Sequence, residues 1–278
     1  MLAILRVGSE APGPVWAKPL ESRSIWPRPL AIGCRVLSPM GRLLVVRHGQ
    51  ASVMRTNYDD LSEQGREQAS RLGRCFADHG WSFDSVYTGP AMRHRVTMRR
   101  VGQAMQEAHR PWPDAIELAG LAENDDLSLV RASVGALSDD PEIARLRREM
   151  LDVRDKAERS ARFQRLYEEV MIRWLRGDFE PRGVETLPQF RARVLSCVET
   201  MTSLCKLGAR IVAFTSVGPV AVLLQRALGI DDEGAFGLAW RLRNSALTSF
   251  EFDGRGRLYL ESFNAVPHLR DPGTWTLR

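Results

Sequence analysis

From residue 42 onward, short apolar runs alternate with longer stretches of helical periodicity. Leu43-Leu44-Val45-Val46 is an unbroken apolar run, the pattern of a strand buried on both faces. Residues 61–79 then read as a helix, with Ser62 as its N-cap. Residues 83–87 form a second strand, and a helix over 90–108 follows. Pro90 suits its first turn. Residues 141–176 are strongly helical and charged, one or two helices inserted between sheet elements. A helix over 187–206 leads to a strand at Arg210–Thr215 and a helix over 219–228. Residues 247–252 and 257–263 alternate like half-exposed strands, and Asp253-Gly254-Arg255-Gly256 between them reads as a hairpin turn. Strands alternating with helices predict an α/β fold, a three-layer α/β/α sandwich around a mostly parallel central sheet.

Residues 1–40 lack any such period. They carry Pro12, Pro14, Pro19, Pro27, Pro29 and Pro39, several arginines, and only Glu10 and Glu21 as acids. Three readings compete: a disordered tail, a basic targeting peptide, and an upstream start codon with Met40 as the working initiator. Met40-Gly41-Arg42 leads straight into the first strand, which favours the tail or the start-codon reading. No apolar stretch with a small-residue cleavage site marks a secretory signal. The folded domain is expected over 41–278, with 125–180 as a helical cap insertion.

Composition adds bounds. The chain has 278 residues, 44% hydrophobic and 26% charged, ordinary for a globular protein able to bury its own core. No run approaches the ~20 apolar residues of a membrane span, so no membrane partner is expected. The net charge is +5. The basic residues are almost all arginine, the lysines being Lys18, Lys156 and Lys206. Genome composition is the simpler cause, although guanidinium forks also suit phosphate. The basic residues are spread along the chain without a nucleic-acid motif, so no nucleic-acid partner is expected. Cys34, Cys75, Cys197 and Cys205 form no CxxC pair and lie near no histidine pair at ligand spacing. Reduced thiols and a cytoplasmic location are expected.

The candidate chemistry lies at the ends of the strands, where open α/β sheets place functional groups. The first strand ends in Arg47-His48-Gly49. The second leads into Thr88-Gly89-Pro90-Ala91-Met92-Arg93 and then Thr97, with Arg93 in a first helical turn near free backbone N–H groups. Leu121-Ala122-Glu123 sets a carboxylate after an apolar stretch. Phe214-Thr215-Ser216-Val217-Gly218-Pro219 is one more strand-to-helix turn.

Together these pieces resemble the histidine phosphatase superfamily, the phosphoglycerate mutase-like fold. Arg47-His48-Gly49 is similar to that family's Arg-His-Gly signature. Residues 89–97 resemble its Ser-Pro-x-x-Arg-x-x-x-Thr pattern, with Gly89 at the leading position. Residues 61–69 resemble its Leu-Thr-x-x-Gly-x-x-Gln-Ala helix opening, and Gly183-Val184-Glu185-Thr186 its Gly-Glu-Ser segment. Motifs in the right order and context are a strong fold signal, here over about residues 42–265.

The resemblance implies that His48 attacks phosphorus and becomes a phosphohistidine. Arg47 and Arg93 would clamp the phosphoryl oxygens. Glu123 would protonate the leaving alcohol and then activate water, which requires a raised pKa. No metal and no cofactor enters this scheme, and the substrate would be a phosphorylated small molecule or protein. The sequence departs from the family at Ser216, which stands where a second histidine is normally found. No imidazole is then expected at that position, and Ser216 is left to contact phosphate or to serve as a plain turn residue. His79, His94 and His109 read as surface helix or loop residues, and His268 is not taken as a substitute. The main expectation is a phosphomonoesterase. The alternative, raised by Ser216, is a weakly active or inactive phospho-ligand or partner-binding module, and a mutase is the lesser third.

Overall fold

The computed structural model describes residues 40–52, 59–203, 206, 208–253 and 255–277. Residues 1–39, Cys34, Cys205 and the turn residue Gly254 lie outside the described residues. Six strands form one mixed sheet: β1 (Gly41–Arg47), β2 (Ser85–Thr88), β3 (Ala115–Glu117), β4 (Arg210–Thr215), β5 (Leu247–Phe252) and β6 (Leu258–Ala265). Their order across the sheet is β3-β2-β4-β1-β5-β6. The first four run parallel, β5 joins the β1 edge antiparallel, and β6 joins β5 antiparallel.

β1 and β4 lie at the centre, where every flanking surface is covered, and this explains their continuous apolar runs. Alternate residues divide between the faces. Leu43, Val45, Ile211, Ala213 and Phe250 join one large core cluster. That cluster also takes Trp174 of α5 (Lys156–Arg176), Phe190 of α6 (Leu187–Ser203), Leu224 of α7 (Val217–Leu228) and Phe236 of α8 (Asp232–Ala239). Leu44, Val46, Val212 and Phe214 point the other way and are equally buried. On that side lie α1 (Glu63–Asp78) and α2 (Met92–Glu107), which pack on each other. An aromatic chain links Phe76, Phe83, Trp112 and Phe214 through centroid distances of 5.3, 5.8 and 6.2 Å. Helices on both faces make the expected three layers.

Several details differ from the sequence expectation. β5 is buried rather than half-exposed, with Phe250 and Phe252 in the core cluster and Thr248 and Ser249 also covered, whereas β6 keeps exposed positions. The second helix starts at Met92, and Pro90 precedes it. α7 starts two residues earlier than expected, with Pro219 inside its first turn. β3 and α8 add to the elements that the sequence pattern predicts.

Between β3 and β4 lie α3 (Asp126–Ala136), α4 (Pro141–Leu151), α5 and α6. α4 begins on Asp140, whose carboxylate accepts from the Glu142 and Ile143 amides at 3.0 Å and takes an ion pair from Arg173 of α5 at 2.7 Å. α5 closes on Gly177, with φ 73° in the left-handed region that glycine adopts without strain. Leu129, Ile143 and Leu166 of these helices belong to the same core cluster as Leu43, so α3, α4 and α5 share the core of the sheet. Among the described residues no helix is long and apolar enough to cross a membrane.

Candidate active site

Strand register assembles the site. Arg47 pairs with Thr215 across the β1–β4 ladder, and Thr88 pairs with Phe214 across β2–β4. The chain therefore leaves the sheet at three adjacent points: His48, Gly89 and Ser216. Backbone bonds fix them, from the His48 amide to the Thr215 carbonyl and from the Gly89 amide to the Phe214 carbonyl, each at 2.9 Å. The turn before Glu123 is tied to the same place, because the Thr215 hydroxyl donates to the Leu121 carbonyl at 2.6 Å.

Two motif glycines serve one close approach. A Cβ on Gly49 would lie 2.4 Å from the Gly65 carbonyl oxygen, and one on Gly65 would lie 2.1 Å from that of Gln50. The His48 turn thus rests directly on the first turn of α1. Ser62 caps that helix, accepting from the Gly65 amide at 3.0 Å. The Gly49 amide donates to Thr97 Oγ1 at 3.0 Å, and Thr97 donates onward to the Arg93 carbonyl at 2.7 Å.

His48 is buried, with its Nδ1 2.7 Å from the Gly49 carbonyl oxygen. A carbonyl only accepts, so Nδ1 carries the proton and Nε2 the lone pair. Burial, then the Arg47 and Arg93 charges, holds the imidazole pKa well below its usual value, so His48 is neutral at neutral pH. Behind it, the His48 carbonyl accepts from the Ser245 amide at 3.1 Å and Asn244 Nδ2 at 3.3 Å. Ser245 Oγ is 2.7 Å from His268 Nε2. Gln68 and Thr276 complete this scaffold, joining the Gln50 amide to the Asn244 side chain.

Arg47 is buried, and its Nη1 donates to the Leu242 carbonyl. Arg93 pairs through Nη1 with Asp59 at 2.7 Å and reaches Ser216 Oγ through Nη2 at 3.4 Å. Asp59 also accepts from the Met92 amide at 2.8 Å, so one carboxylate occupies both Arg93 and the N-terminus of α2. Ala91, the N-cap residue, makes no side-chain cap of its own.

Glu123 lies on the N-terminus of α7. Both carboxyl oxygens accept from the Gly218 amide at 3.1 Å, and one also accepts from the Asn124 amide at 3.0 Å. A Cβ on Gly218 would come within 2.1 Å of Glu123 Oε1, so only glycine permits this approach. Burial raises the Glu123 pKa above the usual carboxylate value, against the lowering effect of those amides. Arg193 braces the loop. It donates to the Gly120 and Ala122 carbonyls at 3.1 and 2.9 Å and is itself held by Glu185 at 2.8 Å. Glu185 of the Gly183–Thr186 segment therefore acts at one remove from the site.

Ser216 is the N-cap residue of α7, yet its side chain makes no cap bond. Its Oγ is 2.6 Å from Nε2 of His94 instead. This overturns one expectation. His94 is not a surface residue; it is fully buried. α2 thus brings an imidazole against Ser216. Its ring centroid is 5.7 Å from that of His48. His79 and His109 are exposed as expected. Among the described residues no group of three or more His, Cys, Asp and Glu side chains could hold a metal ion.

The family model of the histidine phosphatase superfamily (branch 1) matches residues 43–142 and 148–265. The chain belongs to this superfamily. Among histidine phosphatase relatives, the 2,3-bisphosphoglycerate-dependent phosphoglycerate mutases of Lactobacillus acidophilus and Lactobacillus johnsonii are each 35% identical over 79 residues. That stretch is 26% of this chain and 33% of theirs, so the match spans about a third of the curated relatives' length. The fold is shared with phosphoglycerate mutase from Bacillus anthracis, at TM-score 0.55 and 17% identity over 84% of this chain and 96% of that one. An Escherichia coli protein described as a putative alpha-ribazole-5'-P phosphatase superposes at 0.54 and 19% identity, covering 81% and 97%. The mycobacterial glucosyl-3-phosphoglycerate phosphatase superposes at 0.54 and 18% identity, covering 81% and 99%.

Proposed function

We propose that this protein is a phosphomonoester hydrolase working through a phosphohistidine at His48, on a small phosphorylated metabolite or phosphoprotein. The observation that carries the reading is the state of His48, a buried neutral imidazole whose proton is pinned on Nδ1 by the Gly49 carbonyl. Nε2 is then the nucleophile. It forms a bond to phosphorus as the bond to the leaving oxygen breaks, and Glu123 gives its proton to that oxygen. In the second half, Glu123 takes a proton from water, the water oxygen bonds to phosphorus, and His48 returns to its starting form with release of phosphate. The raised pKa of Glu123 suits both roles. The Nδ1–H···O bond to Gly49 supports the positive charge of the phosphorylated ring.

Arg47 and Arg93 offset the phosphoryl charge in this scheme. Arg93 first exchanges Asp59 for substrate. Asp59 is only partly exposed, its side chain 41% accessible beside an Arg93 at 18%, and a phosphate dianion brings more negative charge to Arg93 than the carboxylate it replaces. The helices α3–α5, within the stretch 125–180, follow Glu123 directly, and we assign them the role of a cap that selects substrate. The small phosphate esters in the names of the phosphatase neighbours favour a metabolite substrate. Cys75 and Cys197 are free thiols that burial pushes up to about 11, in keeping with a reducing, cytoplasmic setting. None of the scheme calls for a metal.

The test is hydrolysis of p-nitrophenyl phosphate and a panel of phosphate esters by the wild-type chain beside His48→Ala. Turnover abolished by the substitution is expected. Equal background rates from both proteins would refute the hydrolase and leave a phospho-ligand-binding module.

A further inference from the structure

His94 follows Arg93 on the first turn of α2, and nothing in the hydrolytic scheme above uses it. Its Nε2 is 2.6 Å from Ser216 Oγ, and Arg93 Nη2 reaches the same oxygen at 3.4 Å. Its Nδ1 is buried and has no hydrogen-bond partner among the described residues. That nitrogen lies against Gly89, where an added Cβ would approach it to 2.4 Å. Glycine at 89 leaves the space for the ring, and serine at 216 gives it a polar partner. A buried polar group left half-satisfied in a native fold calls for an explanation, and a functional role is one.

Among the described residues Nδ1 is unpaired in either tautomer, and a buried unpaired N–H is rarer in native folds than a buried unpaired acceptor, which favours the proton on Nε2. If the serine hydroxyl donated to Nε2, the ring proton would sit on Nδ1 as a buried donor without an acceptor, and Ser216 would have nothing left to give. With the proton on Nε2, His94 and Arg93 both donate to Oγ. The hydroxyl proton is then left over, aimed at a third acceptor. Ser216 lies at the end of β4 beside His48 at the end of β1, where a transferring phosphoryl group would present that acceptor.

We propose that His94 and Ser216 form a two-member relay, in which His94 Nε2–H donates to Ser216 Oγ and the Ser216 hydroxyl donates to a phosphoryl oxygen held at His48. The inference rests on the phosphoryl-transfer reading given above. Ser216 is the group that touches substrate. His94 is a positioning residue that orients and polarises the hydroxyl, since hydrogen bonds in series strengthen one another. No proton is transferred along the relay.

The test combines turnover and binding. With p-nitrophenyl phosphate, Ser216→Ala and His94→Ala should each lose about 10²-fold in kcat, the scale of one transition-state donor. The double variant should fall no further than Ser216→Ala alone, because the two act as a unit. His94→Gln keeps an N–H donor and should recover most of the loss, which a packing role would not allow. Calorimetric binding of inorganic phosphate gives a readout independent of turnover, and both alanine variants should weaken it to the same degree. Wild-type kcat and phosphate affinity in Ser216→Ala, or losses that multiply in the double variant, would overturn the relay. Phosphate binding with the predicted pattern, but turnover no faster than His48→Ala, would refute the hydrolase and keep the relay. A wild-type chain that neither binds phosphate nor turns over would overturn both.

Discussion

Acid should destabilise the domain through His268, and there the size of the effect can be worked out. This imidazole is buried against Ser245, and burial, with the Arg71 charge, lowers its pKa from 6.5 to about 3. An unfolded chain binds that proton more tightly than the folded one. The neutral ring's contribution is therefore fully present above pH 6.5 and is lost as pH falls toward the folded value. Between pH 8 and pH 5 the unfolded state gains about 1.5 units of proton affinity over the fold, or about 2 kcal/mol. For a domain of this size that lowers Tm by about 4–8 °C. His268→Gln keeps a polar partner for Ser245 and removes the titration. His48 and His94 are buried and shifted in the same direction, but they are present in both proteins and cancel in the comparison. Thermal melts of wild type and His268→Gln at pH 8, 6.5 and 5 should show the wild type losing the extra 2 kcal/mol. Parallel pH dependences for the two proteins would refute a buried neutral His268.

Three further outcomes follow from the geometry. Glu123→Gln cannot protonate a leaving group, so kcat should fall about 10²–10⁴-fold with an alkyl phosphate and far less with p-nitrophenyl phosphate, whose leaving group needs little help. In the wild type, alkyl phosphate turnover should decline on the alkaline side, because Glu123 must be protonated to act and its pKa, though raised, is finite; a pH–rate profile rising through alkaline pH would contradict this role. Gly218→Ala drives a methyl group into Glu123 Oε1 and close to Phe190, so it should cost about 1–3 kcal/mol in denaturant melts and reproduce the leaving-group dependence of Glu123→Gln.

Much of this fold could be read in the chain because its central strands are buried on both faces. β1 and β4 announce themselves as apolar runs, and their ends carry the chemistry. β3 gives no such signal: its three residues are all exposed, and it is a strand only because β2 offers an edge to pair with. β5 reads as half-exposed because Thr248, Ser249 and Glu251 interrupt its apolar residues, yet Thr248 and Ser249 are buried along with Phe250 and Phe252. The site divides the same way. His48, Arg47, Arg93 and Glu123 follow from local motifs at strand and turn positions. His94 does not, because Arg95, Arg99 and Arg100 around it read as a solvated basic face. Its burial is decided by the gap at Gly89 and by Ser216, 122 positions along the chain. The one local hint was Gly89 itself, standing where the resembling pattern has serine. Arg193, which braces the Glu123 loop from α6, had no local signal at all.

The central claim is that phosphorus is transferred to His48. The most direct measurement is to mix the protein with p-nitrophenyl phosphate, quench under alkaline conditions within the first turnover, and map modified peptides by mass spectrometry. The account predicts a phosphoryl group on the peptide carrying Arg47-His48-Gly49, absent from His48→Ala. Burst release of p-nitrophenol with no phosphoryl group on His48, or with one on another residue, would contradict it.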